Sequence, residues 1–134
     1  LLEDAARATG SFAAIRPSTF PDELRTADLP AWALDPREEE EEHGADDTRG
    51  RHYQALITYV AYLAVECGQR ATARSAARTQ LDGLRNDYLT ELPAATGGDA
   101  QKRSRTRSEI SNGELTLMVD ALDIRFAQTQ IFTQ

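Results

Sequence analysis

Glu40 and His43 stand three residues apart, the Glu-x-x-His spacing by which carboxylate-bridged di-iron bundles hold metal. Glu66 is a lone acid beside Tyr59 and Tyr62. Such a centre needs two Glu-x-x-His pairs and two further inward glutamates. This chain has two histidines, His43 and His52, and one such pair, set in an acidic run where any histidine would match. The residues therefore read as a solvated acidic turn, and no metal or other cofactor is expected. The single cysteine, Cys67, excludes an internal disulfide framework and Cys-based zinc sites. With no histidine near it in sequence, it reads as a buried structural thiol and not a nucleophile. Gly97-Gly98 lacks the Lys-Ser/Thr that completes a phosphate loop. The expectation is a non-enzymatic protein.

Two basic features remain. Arg70, Arg74 and Arg78 recur every four residues in an alanine-rich stretch without acids. Lys102, Arg103, Arg105 and Arg107 put four bases into six residues after the glycine pair. Either group is a polyanion-contact candidate, since arginine and lysine neutralise phosphates. Against that, arginines on a helix seam pair readily with acids from a neighbouring element. No aromatic residues interleave the bases to stack on nucleotides, and the net charge of -7 is unfavourable for nucleic acid. Bases at a helix N-terminus also oppose the helix dipole.

The elements that must position these groups are read from periodicity and breakers. The 134 residues suit one domain, and 40% hydrophobic residues suffice for a core. Charge is uneven: residues 1–48 hold 13 acids and 4 bases, whereas residues 49–134 hold 9 acids and 11 bases. Leu1 to Thr9 predicts a short helix ending at Gly10. Prolines at 17, 21, 30 and 36 then forbid a long helix. Pro21 and Pro30 are placed to open single helical turns. Between the prolines lie large apolar residues, among them Phe12, Phe20 and Trp32, spaced as if to enter grooves one by one. Residues 1–35 thus form a proline-punctuated docking arm.

Asp35, Pro36 and Glu38 have the order of a helix cap, so 36–50 predicts a short acidic helix over Glu38–Glu42 and a hinge to Gly50. From Arg51 to Leu92, nine of the twelve positions Tyr53, Leu56, Val60, Leu63, Cys67, Arg70, Arg74, Ala77, Leu81, Leu84, Tyr88 and Glu91 are apolar. That pattern predicts one long helix, halted by Pro93. A loop over about 93–100 leads to a second helix to the end, restarted at Asn112-Gly113, with Leu115, Met118, Leu122 and Phe126 on a wide apolar face.

The expected fold is all-α: a long antiparallel helical hairpin over 51–134, coiled-coil-like, preceded by the arm. Its unpaired faces predict a homo-oligomer or larger assembly. The expected function is an assembly or scaffold subunit acting through helix–helix contacts. Phe12, Phe20, Trp32, Leu115, Met118, Leu122 and Phe126 are its partner-docking residues. The alternative is a nucleic-acid-binding helical protein using the arginine stripe and the basic tip. The uncharged apolar run from Tyr53 to Val65 is shorter than the ~20 residues of a spanning helix. No basic segment precedes an apolar one near the start. The expected location is the cytoplasm or a macromolecular assembly. The chain begins at Leu1, not methionine, and has no helix stop at its end, which reads as trimming at both ends.

Overall fold

The computed structural model describes residues 2–16, 20, 24–47, 50–96, 100–111 and 115–132. Within the strands, the side chains of 36–47, 50–57, 100–104 and 126–132 lie outside that description. Helix α1 (Leu2–Thr9) leads to a two-residue strand β1 (Ala14–Ile15), followed by strands β2 (Ala31–Asp47) and β3 (Gly50–Glu66). Helix α2 (Ala71–Thr96) then precedes strands β4 (Ala100–Ser111) and β5 (Thr116–Phe132). The strands make one five-stranded sheet in the order β1-β2-β3-β5-β4, antiparallel except for β1 on β2.

The protein is therefore a mixed α/β fold, and the all-α hairpin is overturned along with its coiled-coil packing. The stretch expected as one helix from Arg51 is strand to Glu66 and helix only from Ala71. The expected second helix is the β4–β5 hairpin, and the expected acidic helix with its hinge is strand β2 leading into β3. The physical reason is burial on both faces. Ala61, Leu63 and Val65 lie under the helices, while Ala64 and Tyr62 pack on the reverse face. A strand buried on two sides reads as a continuous apolar run, and such a run also matches helical spacings. Its Ile57, Thr58, Tyr59, Val60, Tyr62 and Val65 are strand formers.

Helix α1 matches its expected span, and Gly10 ends it at φ 64°, in the left-handed region that glycine tolerates. Helix α2 is not halted by Pro93 but runs through it to Thr96. Proline removes the N–H that would bond the Leu89 carbonyl, which a helix tolerates in its last turn. Pro30 opens no helical turn: a short 3₁₀ turn at Thr26–Asp28 comes before it, and β2 starts directly after it. Pro21 lies outside the described residues.

The core lies on both sides of the sheet. On one face α1 and α2 cover Trp32, Ala61, Leu63, Val65, Met118, Leu122 and Ile124, with Leu81, Leu84, Tyr88 and Leu92 pointing down from α2. On the other face the arm folds back, and Leu24, Phe20 and Leu29 pack on Ala31, Ala64, Leu117 and Val119. The arm has no core of its own and finds one on the sheet.

The strands are long. Seventeen residues at about 3.3 Å each give β3 a reach of roughly 55 Å, against roughly 39 Å for the 26 residues of α2 at 1.5 Å each. Register shows where the excess lies. Ala100, the first residue of β4, pairs with Phe126, which is level with Ile57 and Glu39. Helix α2 ends four residues before Ala100. Beyond that level the sheet continues, among the described residues, with three strands, as residues 40–47, 50–56 and 127–132.

Candidate functional site

The strongest polar feature is a cluster where β4, β5 and α2 meet. Asp120 on β5 points to the helix-covered face and is fully buried. Its cross-strand neighbour on β4 is Arg107. The guanidinium answers it with two bonds: Nε donates to Oδ1 at 2.6 Å and Nη2 donates to Oδ2 at 2.8 Å. Nη2 also donates to Asp82 Oδ1 of α2 at 2.6 Å, an oxygen that Arg85 approaches at 3.4 Å. The side-on fork satisfies the carboxylate that burial would otherwise penalise. Bonding to Asp120 raises the arginine's pKa further above its ordinary value. The cluster fixes β4 to β5 and α2 over both, with Asp82 as its half-exposed outer end.

Cys67 closes β3. Its backbone N–H donates to the Thr116 carbonyl at 2.8 Å, and its thiol is buried with Sγ 3.4 Å from the Gly68 carbonyl. Burial raises the thiol pKa first, and the charge of Glu109 adds to it, outweighing Arg74 and Arg78. This is the environment of an inert thiol. Tyr88 of α2 stacks obliquely on Trp32, ring centres 5.9 Å apart, and its hydroxyl donates to the Leu2 carbonyl at 3.2 Å. Burial raises its pKa above the ordinary tyrosine value. This contact ties α1 to α2 above the sheet.

The expected site residues are dispersed. Trp32, Met118 and Leu122 are buried in the helix-covered core, and Phe12 is half-buried against it. Phe20 and Leu115 are half-buried on the reverse face, where Phe20 stacks on Tyr62 at 5.5 Å. Phe126 is on β5, and its side chain lies outside the described residues. Among the bases, Arg74 forms an ion pair with Glu109 at 3.4 Å, and Arg107 is in the buried cluster. Arg70, Arg78 and Arg105 are exposed. Lys102 and Arg103 are on β4, with side chains outside the described residues. The Glu40–His43 pair is on β2, His43 level with Tyr53, while Glu66 ends β3 thirteen residues further along. At about 3.3 Å per residue that is roughly 40 Å, so these groups share no site. Among the described residues no three of His, Cys, Asp and Glu gather to hold a metal. Among them, too, no helix is long and apolar enough to cross a membrane.

What sequence reasoning missed is the placement of charge on the sheet's two edges. The glutamate run Glu38–Glu42 lies on edge strand β2, and the basic run from Lys102 lies on edge strand β4. A signal for β4 was present, because Arg103, Arg105 and Arg107 alternate with Ser104, Thr106 and Ser108 at a period of two. Three inter-strand steps separate the two edges, roughly 14 Å at 4.8 Å each. That exceeds the screening length of about 8 Å at physiological salt. No model of a known protein family matches this chain, and neither does any curated protein.

Proposed function

We propose that this protein is a non-enzymatic assembly subunit, acting through its sheet edges and its protruding strands, not through helix–helix contacts. The observation that carries the reading is the three-stranded extension past the level of β4 and the end of α2. Among the described residues no strand flanks β2 beyond Trp32 or the outer side of β4, and such edges are templates for pairing. The polar groups of the Arg107, Asp120 and Asp82 cluster bond to one another. They support a scaffold role better than a chemical one.

The nucleic-acid alternative draws less support. Two of its candidate arginines, Arg74 and Arg107, face acids, and the bases divide between the start of helix α2 and edge strand β4. The test is sedimentation velocity of the purified chain from low to high micromolar concentration, with and without a short DNA duplex. The reading expects growth in mass with protein concentration and no dependence on the duplex. A strictly monomeric stable species at high micromolar concentration overturns it, and mass growth only with duplex favours the alternative.

A further inference from the structure

We infer that the partner is a second copy of this chain, joined head to tail by pairing the acidic β2 edge of one molecule with the basic β4 edge of the next. This rests on the assembly reading above and adds the partner, the surfaces and their order.

Strand β1 covers β2 only at Ala31 and Trp32, with one further bond from the Arg16 N–H to the Trp32 carbonyl. Beyond Trp32 no strand flanks β2 on that side among the described residues, and none flanks β4 on its outer side. Edge strands of this length are pairing templates unless something selects among partners. Here charge selects. Strand β2 carries five consecutive glutamates, Glu38 to Glu42, and β4 carries Lys102, Arg103, Arg105 and Arg107. A symmetric β2–β2 contact would set the glutamate run against itself, and a β4–β4 contact would set base against base. Like charges directly opposite are destabilising and opposite charges are favourable, so only the mixed contact is selected.

Direction agrees. β2 is antiparallel to β3, β3 to β5 and β5 to β4, so β4 runs antiparallel to β2 within one molecule. A neighbour displaced along the sheet, without being turned over, presents its β4 antiparallel to β2, and the sheet continues from copy to copy. Length agrees as well. The 12 residues of β4 fit on the part of the 17-residue β2 that β1 leaves free. Within one molecule Arg105 is level with Leu34. Bringing Arg105 of one copy opposite Glu41 of the next therefore shifts neighbours by roughly 20 Å along the strands, at about 3.3 Å per residue. That shift lays the neighbour's β4 beside the three-stranded extension. The contact is heterologous, so it propagates until the rotation per copy closes it.

The experiment uses the full chain in three forms beside the wild type. One carries Glu40→Lys and Glu41→Lys, one carries Lys102→Glu and Arg105→Glu, and one carries all four changes. Arg107 is left alone because it is part of the buried cluster. Sedimentation velocity is run at low and high salt, with circular dichroism to establish that each form is folded. The wild type is expected to assemble, more weakly at high salt. Each two-site variant alone is expected to lose at least ten-fold in association. Mixing the two, or combining all four changes in one chain, restores it. Cysteines at Glu41 of one copy and Arg105 of another (E41C mixed with R105C) should cross-link between molecules. A wild type that assembles while the two-site variants assemble equally well overturns this inference and leaves the assembly reading standing. Loss in only one two-site variant points to a symmetric edge contact and also overturns it. A wild type that never assembles overturns both.

Discussion

Replacing Arg107 with methionine keeps most of its bulk and removes both bonds to Asp120. The carboxylate is fully buried, and the arginine is 23% exposed, so water reaches the pair poorly. Breaking a buried pair by removing one partner costs about 3–5 kcal/mol, because the remaining charge stays desolvated and unpaired. The bond to Asp82 adds little, since Asp82 is 46% exposed. An exposed pair of that kind contributes only about 0.2–1 kcal/mol. For a domain of this size the loss lowers Tm by roughly 10–20 °C. Urea titration read by the fluorescence of Trp32, the only tryptophan and fully buried, measures it directly. Two companions give the argument its shape. Asp82→Ala should lose less than about 1 kcal/mol. The double change Arg107→Met with Asp120→Leu should return to within about 1–2 kcal/mol of the wild type, because two apolar groups replace two charges. An Arg107→Met loss below about 1 kcal/mol would refute the claim that this pair pins β4 to the sheet.

Three further outcomes are expected. Gly68→Ala places a Cβ 2.5 Å from the Ala73 Cβ; neither atom can swing away, so the β3–α2 connection must shift at a cost of about 1–3 kcal/mol, measurable by urea titration. Tyr88→Phe removes the hydroxyl bonded to the Leu2 carbonyl and should cost about 1 kcal/mol. Because burial raises the Tyr88 pKa, its contribution is complete below the ordinary tyrosine value of about 10 and is lost as pH rises above it. Denaturation curves from pH 8 to 11 should therefore fall less steeply for the phenylalanine variant. Cys67 should resist a maleimide at neutral pH in the folded protein and react promptly in urea, since its thiol is buried with a raised pKa; equal rates in the two conditions would contradict that environment.

The parts of this fold that were legible in the sequence are those with local determinants. Helix α1 ends where Gly10 says it must. Asn112-Gly113, between β4 and β5 in the sequence, is a short hairpin signal that a helical spacing around it overrides. The dipeptide reads as a helix interruption because Leu115, Val119, Leu122 and Phe126 also satisfy a helical spacing. β5 is packed on both faces, with Met118 and Leu122 under the helices and Leu117 and Val119 on the reverse, so its sequence shows no alternation to betray it. The acidic strand is a different case. Five glutamates have low strand propensity and a good helical cap before them, and only pairing with β3 makes Glu38–Glu42 extended. Of the candidate site, the residue types were legible and their arrangement was not. Whether a basic run lies at a hairpin tip or along a sheet edge depends on pairing over long sequence distances.

The strand order carries a consequence for how the molecule is made. The chain consists of two local hairpins, β2 with β3 and β4 with β5, and α2 connects them. Each hairpin closes a short loop, a matter of microseconds. The seam between β3 and β5 instead joins Glu66 to Leu117 across the whole helix, and such non-local pairing is the slow, entropically costly step. As a nascent chain emerges, β3 is complete long before β5, and its β5-facing edge waits for a partner from the second hairpin. The buried Asp120, one residue from the pair that Val119 makes with Ala64, penalises any arrival in which Arg107 does not come with it.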